Sequence, residues 1–225
     1  MRFVKLSHDL DVNSPVHVAL RIPEITQNKY VSLGDGYNSF ILTFENHSGT
    51  HVDAPGHFLE EGKVISDYSL DELIFKNPSI LDIPKNMNEL IGLQDVIGED
   101  FNGVDCVIFR TGFEKFHDLD TKKYLLENPG ISPDVIYWIR KKFPEVRCVG
   151  MDCISISSYK YPDLGEKAHI NAFKISEELG EPLLLIEDMK LSDIENELLN
   201  EVMVIPWQIK GIDSAPCTVI AKITG

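Results

Sequence analysis

The stretch SPDVIYWIRKKFPEVRCVGMDCISI, residues 132–156, decides the fold. Its first half predicts a helix over residues 132–144. Ser132 is a natural N-cap, and Pro133 suits the first turn because its φ is preset. Arg140, Lys141 and Lys142 come late and read as the solvated end of the helix, and Pro144 lies just beyond. The second half, VRCVGMDCISI (146–156), is apolar and β-branched and reads as a strand. Helix followed by strand at this spacing predicts a crossover unit within a mixed sheet.

The flanks agree with an α/β class. PSILDIP (78–84), DCVIFRTGF (105–113) and PLLLIED (182–188) read as short buried strands. EVMVIPWQI (201–209) and APCTVIAKI (215–223) read as a closing pair separated by KGIDS, a run of turn residues. VHVALRI (16–22) reads as a strand ended by Pro23, and SFILTFE (39–45) as another. SDYSLDELI (66–74) reads as a short helix with a Ser69/Glu72 capping box. NAFKISEELG (171–180) reads as a helix closed by Gly180. The sum is a single domain over 1–225, a mixed β-sheet curled toward a barrel with flanking helices.

With 21 basic and 36 acidic residues, the net charge of −15 repels phosphate backbones and anionic membranes. Neither nucleic acid nor a membrane is expected as a partner. Four cysteines without a C-x-x-C pair fit a reduced, cytoplasmic setting. The N-terminus shows no secretory h-region, and no apolar run approaches the ~20 residues of a membrane span.

Ligand chemistry concentrates in ENHSGTHVDAPGHF, residues 45–58. If the strand from Phe40 continues, His47, Gly49, His51 and Asp53 share one face. Gly49 leaves room for an ion, and Pro55-Gly56 turns the chain so that His57 swings toward the same pocket. Imidazole with carboxylate suits zinc, and also manganese, iron or nickel. Too few protein ligands to saturate an ion point to a catalytic site. A bound divalent ion lowers the pKa of its water to about 7, giving a hydroxide nucleophile at neutral pH. Asp53, with two oxygens, is able to bridge two ions. His57 is either a proton carrier or a further ligand.

HSGTHVDAPGH (47–57) resembles the H-x-G-T-H-x-D-x-P-x-H signature of the cyclase-like metal-hydrolase family, which includes bacterial kynurenine formamidases and isatin hydrolases. FRTGF, PLLLIEDMKL and IPWQIKGIDSAPCTVIA resemble further segments of that family. The resemblance implies a swivelling β/β/α fold, a homodimer and two divalent metal ions, zinc first and manganese second. Carried over by position, His47, His51 and Asp53 are metal ligands with Asp53 bridging, and His57 is the general acid/base. The second ion takes His169 and Glu187. Glu181 competes with Glu187 because its spacing from His169 is closer to the family's, and an insertion around FKISEELGE is expected to lengthen the helix between them. Glu187 is favoured because a carboxylate in an apolar strand needs a partner charge.

The expected activity is hydrolysis of a small amide, with N-formylkynurenine and water giving kynurenine and formate. Opening of a cyclic amide, lactam or lactone is the alternative, and a non-catalytic metal-binding module is the second. Members acting on aromatic amides carry an aromatic-Pro-Gly segment near the N-terminus, whereas the matching region here reads SPVHVALRIPE. His17 either fills that space or is a strand residue.

Overall fold

The structure is a computed structural model and describes residues 1–194 and 197–224. Its strands in chain order are β1 (Arg2–Lys5), β2 (Glu24–Lys29), β3 (Ser39–Thr43), β4 (His51–Asp53), β5 (Ile74–Phe75), β6 (Pro78–Asp82) and β7 (Leu90–Ile91). They continue with β8 (Cys106–Arg110), β9 (Gly130–Ile131), β10 (Cys148–Met151), β11 (Leu184–Glu187), β12 (Leu198–Pro206) and β13 (Ser214–Thr224). The α-helices are α1 (Leu93–Val96), α2 (Phe116–Leu119), α3 (Thr121–Leu126), α4 (Pro133–Lys142) and α5 (Pro162–Phe173).

The main sheet is mixed, as expected, with the order β5-β12-β13-β4-β11-β10-β8-β6 and β1 added to β13. β6, β8, β10 and β11 are parallel neighbours, while β4, β12 and β13 pair antiparallel. β12 also packs against β6 from the far edge, so the sheet curls into a nearly closed barrel. α4 lies on the crossover from β8 to β10, and α5 on the crossover from β10 to β11.

Burial on both faces explains the unbroken apolar runs of the central strands. Val107, Phe109, Val149, Met151 and Leu185 pack against Val135, Ile136 and Ile139 of α4 and Ala168, Ala172 and Phe173 of α5. Their alternates Cys106, Ile108, Cys148, Leu184 and Ile186 fill the barrel interior with Val202, Val219 and Ala221. All four cysteines are free and buried. Among the described residues no helix is long and apolar enough to cross a membrane.

Several elements differ from the sequence reading. Residues 16–22 form no strand, because Leu20 N–H turns back onto His17 O at 2.8 Å and no neighbour pairs with the segment. The strand follows Pro23 instead, as β2, whose hairpin with β3 stands outside the main sheet. Residues 66–74 form tight 3₁₀ turns rather than an α-helix, although the Glu72 carboxylate does accept from Ser69 N–H and Oγ–H, each at 2.8 Å. The helix expected over 171–180 lies earlier, as α5. The expected lengthening is not helical: residues 174–180 make a turn ending at Gly180 with φ +66°. Arg140 shows why. It is buried rather than solvated, and its guanidinium donates to the carbonyls of Asn171, Lys174, Gly180 and Glu181. Those four bonds satisfy the α5 C-terminus and the turn together.

Candidate metal centre

β4 is the short middle strand of the curled sheet, hydrogen-bonded to β11 on one side and β13 on the other. Its register sets His51 opposite Glu187, and Asp53 opposite Leu185 and Ser214. Val52 points into the barrel with Ile186 and Ala215. The two-residue period therefore turns His51 and Asp53 to the helix-facing side. The strand does not reach back from β4 to β3, because Gly49 at φ +65° breaks it. Ser48 N–H donates to Glu45 O at 3.1 Å, so His47 arrives by a turn rather than by strand parity. A side chain at Gly49 would also crowd Leu10 Cδ1 at 3.1 Å.

Pro55–His57 forms a 3₁₀ turn that folds the His57 ring back beside His47, with centroids 4.1 Å apart. His169 comes from α5. Its Nδ1 lies 2.9 Å from Gly165 O, one helical turn earlier, and its Nε2 lies 3.3 Å from Glu187 Oε1. Glu187 Oε1 also accepts from Ser155 Oγ at 2.9 Å and Ile156 N at 2.8 Å, while Oε2 lies 3.5 Å from His51 Nε2. Of the two competing glutamates, Glu187 is buried in this cluster and Glu181 is exposed outside it.

Sequence reasoning missed Asp213. Its Oδ2 lies 3.0 Å from His57 Nδ1 and 3.3 Å from His47 Nε2. It hides in KGIDS, a turn by composition, and only the pairing of β13 with β4 brings it to the site. Ser155, Phe58 and Ile154 were missed for the same reason: each depends on a long-range contact.

Asp53 is the centre of the arrangement. It is fully buried, yet neither carboxylate oxygen has a hydrogen-bond partner among the described residues, and His51 Nε2 has none either. His47 Nδ1 approaches Asp53 Oδ1 to 3.0 Å and His51 Nε2 approaches it to 3.5 Å, without hydrogen-bond alignment. Burial pushes the Asp53 carboxyl up, but His51 and His47 outweigh it and hold it below the usual range. Burial likewise pushes Glu187 up, and His169 and His51 hold it well below. Burial lowers the His47 pKa, but Asp213 and Asp53 outweigh this and raise it to about 10. The pocket thus favours positive charge between its carboxylates.

An unpartnered buried carboxylate is costly unless a cation meets it. The donor set fits a divalent ion: imidazole nitrogens and carboxylate oxygens without thiolate suit zinc or manganese. Two donor groups, His47–Asp53–His57 and His51–Asp53–Glu187, share Asp53. A third, His8–His117–Asp188, differs. Its imidazoles are stacked 3.7 Å apart at 5°, so their in-plane lone pairs lie in two nearly parallel planes and do not meet at one point.

Beside the candidate ligands opens a cavity of about 250 Å³ lined by His17, Leu20, Phe58 and Ile154 as well as the site histidines. The loop carrying His17 therefore covers the site.

The family model described as "Putative cyclase" matches residues 4–158, well over half of the chain. The chain belongs to this cyclase family. Among its relatives, Cyclase-like protein 1 of Oryza sativa subsp. japonica is 26% identical over 228 residues, covering 96% of this chain and 76% of the relative. Kynurenine formamidase of Bacillus cereus (strain ZK / E33L) is 27% identical over 186 residues, covering 80% and 78%. Isatin hydrolase A from Labrenzia aggregata, solved with benzyl benzoate bound, shares the cyclase-family fold. Its TM-score is 0.81 at 19% identity, covering 100% of this chain and 94% of that one. The family match includes the segment from His47 to His57 and stops before His169, Glu187 and Asp213.

Proposed function

We propose that this chain is a metal-dependent hydrolase of a small amide, with an aryl formamide of the N-formylkynurenine type as its preferred substrate. The single observation that carries the proposal is the pair of unpartnered, fully buried Asp53 oxygens beside His47 and His51. His47, His51, Asp53, His169 and Glu187 would hold two divalent ions, with Asp53 shared between them. Zinc is the first choice and manganese the second. When bound, such an ion supplies Lewis acidity, making a water acidic near neutral pH and polarising an amide carbonyl.

The protein's own groups supply the rest. His57 takes a proton at its free ring nitrogen from the attacking water and returns it to the leaving nitrogen, which is otherwise a poor leaving group. Phe58, Leu20 and Ile154 give the cavity apolar walls against which an aryl group would pack. An apolar cavity of ~150 Å³ holds one benzene ring, so about 250 Å³ suits a single ring with a short substituent. His17 lines that cavity from the covering loop.

The same volume also admits a bicyclic lactam, which makes ring opening the second reading. The His57–Asp213 pair argues against a purely metal-holding module, because storage needs no oriented proton carrier. A second copy of the chain is the proposed partner: the β2–β3 hairpin exposes Ile25, Phe40, Ile41 and Leu42, apolar side chains that suit a dimer contact. The free, buried cysteines suit a reducing compartment such as the cytoplasm. The test is metal analysis of the purified protein, then a panel of formanilides, isatin and small lactams with zinc or manganese. Hydrolysis of formanilides first supports the preferred reading. Inertness toward every member of the panel with both metals overturns it.

A further inference from the structure

Among the described residues, one carboxylate lies within ion-pair distance of both the His47 ring and the His57 ring, and the loop before β13 carries it. Asp213 is anchored from two sides. Its own carbonyl accepts from Ala54 N–H at 2.8 Å, and the carbonyl of Ile212 accepts from Ile65 N–H at 3.0 Å. Asn46 Nδ2 donates to Asp213 Oδ1 at 3.0 Å, which fixes the carboxylate plane. Oδ2 is then left for His57 Nδ1 at 3.0 Å and His47 Nε2 at 3.3 Å. Nothing else among the hydrogen bonds of the described residues engages either of those two ring nitrogens.

A carboxylate oxygen only accepts, so each ring must present an N–H to it. In the neutral form of each ring, the form a metal ligand must take, that leaves the other nitrogen with its lone pair. On His47 it is Nδ1, the atom 3.0 Å from the unpartnered Asp53 Oδ1. On His57 it is Nε2. The outer partner of a metal-binding or proton-transferring imidazole commonly sets its tautomer in this way. Here one oxygen does so for two rings with different tasks.

We infer that Asp213 is a positioning residue that, through Oδ2 alone, fixes the tautomers of His47 and His57 together, aiming a ligand atom at the ion and a basic atom at the substrate. This rests on the reading of the site as a hydrolytic metal centre, and the test separates the two. The zinc-loaded protein is prepared as the parent, Asp213→Asn and Asp213→Ala, with ¹⁵N-labelled histidine. Long-range ¹H–¹⁵N NMR then reads the His57 tautomer, zinc titration reads affinity, and formanilide turnover reads kcat and KM.

The parent should hold His57 protonated at Nδ1. In Asp213→Ala the ring should shift toward the Nε2-protonated form, and zinc should bind ~10–100-fold more weakly. At saturating zinc, kcat should fall by ~10²–10⁴ in both variants with KM nearly unchanged. A purely structural role would lower stability and leave the tautomer alone. If His57 stays Nδ1-protonated in Asp213→Ala, the inference is overturned. If the parent hydrolyses nothing, the hydrolase reading fails, and the tautomer and zinc titrations still decide the role of Asp213.

Discussion

Glu187 Oε2 faces His51 Nε2 at 3.5 Å across the β4–β11 ladder, and no hydrogen bond joins them. A cation placed between two buried groups this close and unbonded would satisfy both. The strand register makes the approach unavoidable, since His51 and Glu187 are directly paired on adjacent antiparallel strands. Asp53, two residues along the same strand, completes the donor group. Glu187→Gln and Asp53→Ala should therefore each weaken zinc binding by at least ~10–100-fold, measured by titration against a chromophoric chelator. Unchanged affinity in Asp53→Ala would show that this carboxylate is not shared.

His57→Ala should separate chemistry from metal binding. Turnover of a formanilide should fall by ~10²–10⁴ while the zinc content by elemental analysis stays at the parent value. Loss of zinc along with turnover would instead make His57 a ligand.

Metal removal should cost stability, because an ion bound only by the folded chain is lost and the two buried Asp53 oxygens are left without a hydrogen-bond partner. With zinc at a thousand times its Kd, binding contributes about 4 kcal/mol to the folded state. Chelation should lower the thermal midpoint, and re-addition of zinc should restore it. A midpoint indifferent to chelator would rule out a tightly held ion.

The back of the site gives a pH prediction. Burial first, and then the stacked His117, lower the His8 pKa from 6.5 to about 4. The folded protein keeps His8 neutral where the unfolded chain protonates it. The resulting stabilisation is complete above pH 6.5 and drains away as pH falls toward 4. Because the ring is partly exposed, about 1–2 kcal/mol is expected after screening. His8→Phe keeps a flat ring without the proton. Urea melts should show it gaining that amount on the parent between pH 7 and pH 4; equal losses in both proteins would contradict the assignment.

Gly165 makes a packing prediction. A Cβ there would lie 2.1 Å from Ser157 Oγ and 2.9 Å from Ser157 Cα. Gly165→Ala should push α5 outward, destabilising the fold by about 1–3 kcal/mol and displacing His169 from Glu187. Urea melts and zinc titration read the two effects; a variant unchanged in both would contradict the close approach.

Much of this was legible in the sequence where short-range periodicity governs. The α4–β10 unit, the buried central strands and the His51/Asp53 alternation follow from patterns within a few residues. The rest depended on contacts distant in sequence. Residues 16–22 alternate like a strand but have no neighbour to pair with, and they serve as a cover over the cavity. The turn after α5 looked helical because nothing local announces that Arg140 will bind its carbonyls. His47 reached the right place for a reason other than the one expected, a glycine turn rather than strand parity. Asp213 carried no signal of its own beyond lying in the family-like segment IPWQIKGIDSAPCTVIA, since its place at the site comes from the register of β13 on β4.

Anomalous diffraction at the zinc edge, from crystals of the zinc-loaded protein, tests the central claim most directly. It should reveal scattering centres flanking Asp53, with His51 Nε2 and Glu187 within the ~2.0–2.2 Å of zinc–nitrogen and zinc–oxygen bonds. Zinc-saturated crystals with no anomalous peak near Asp53, and with its two oxygens still unpartnered, would contradict it.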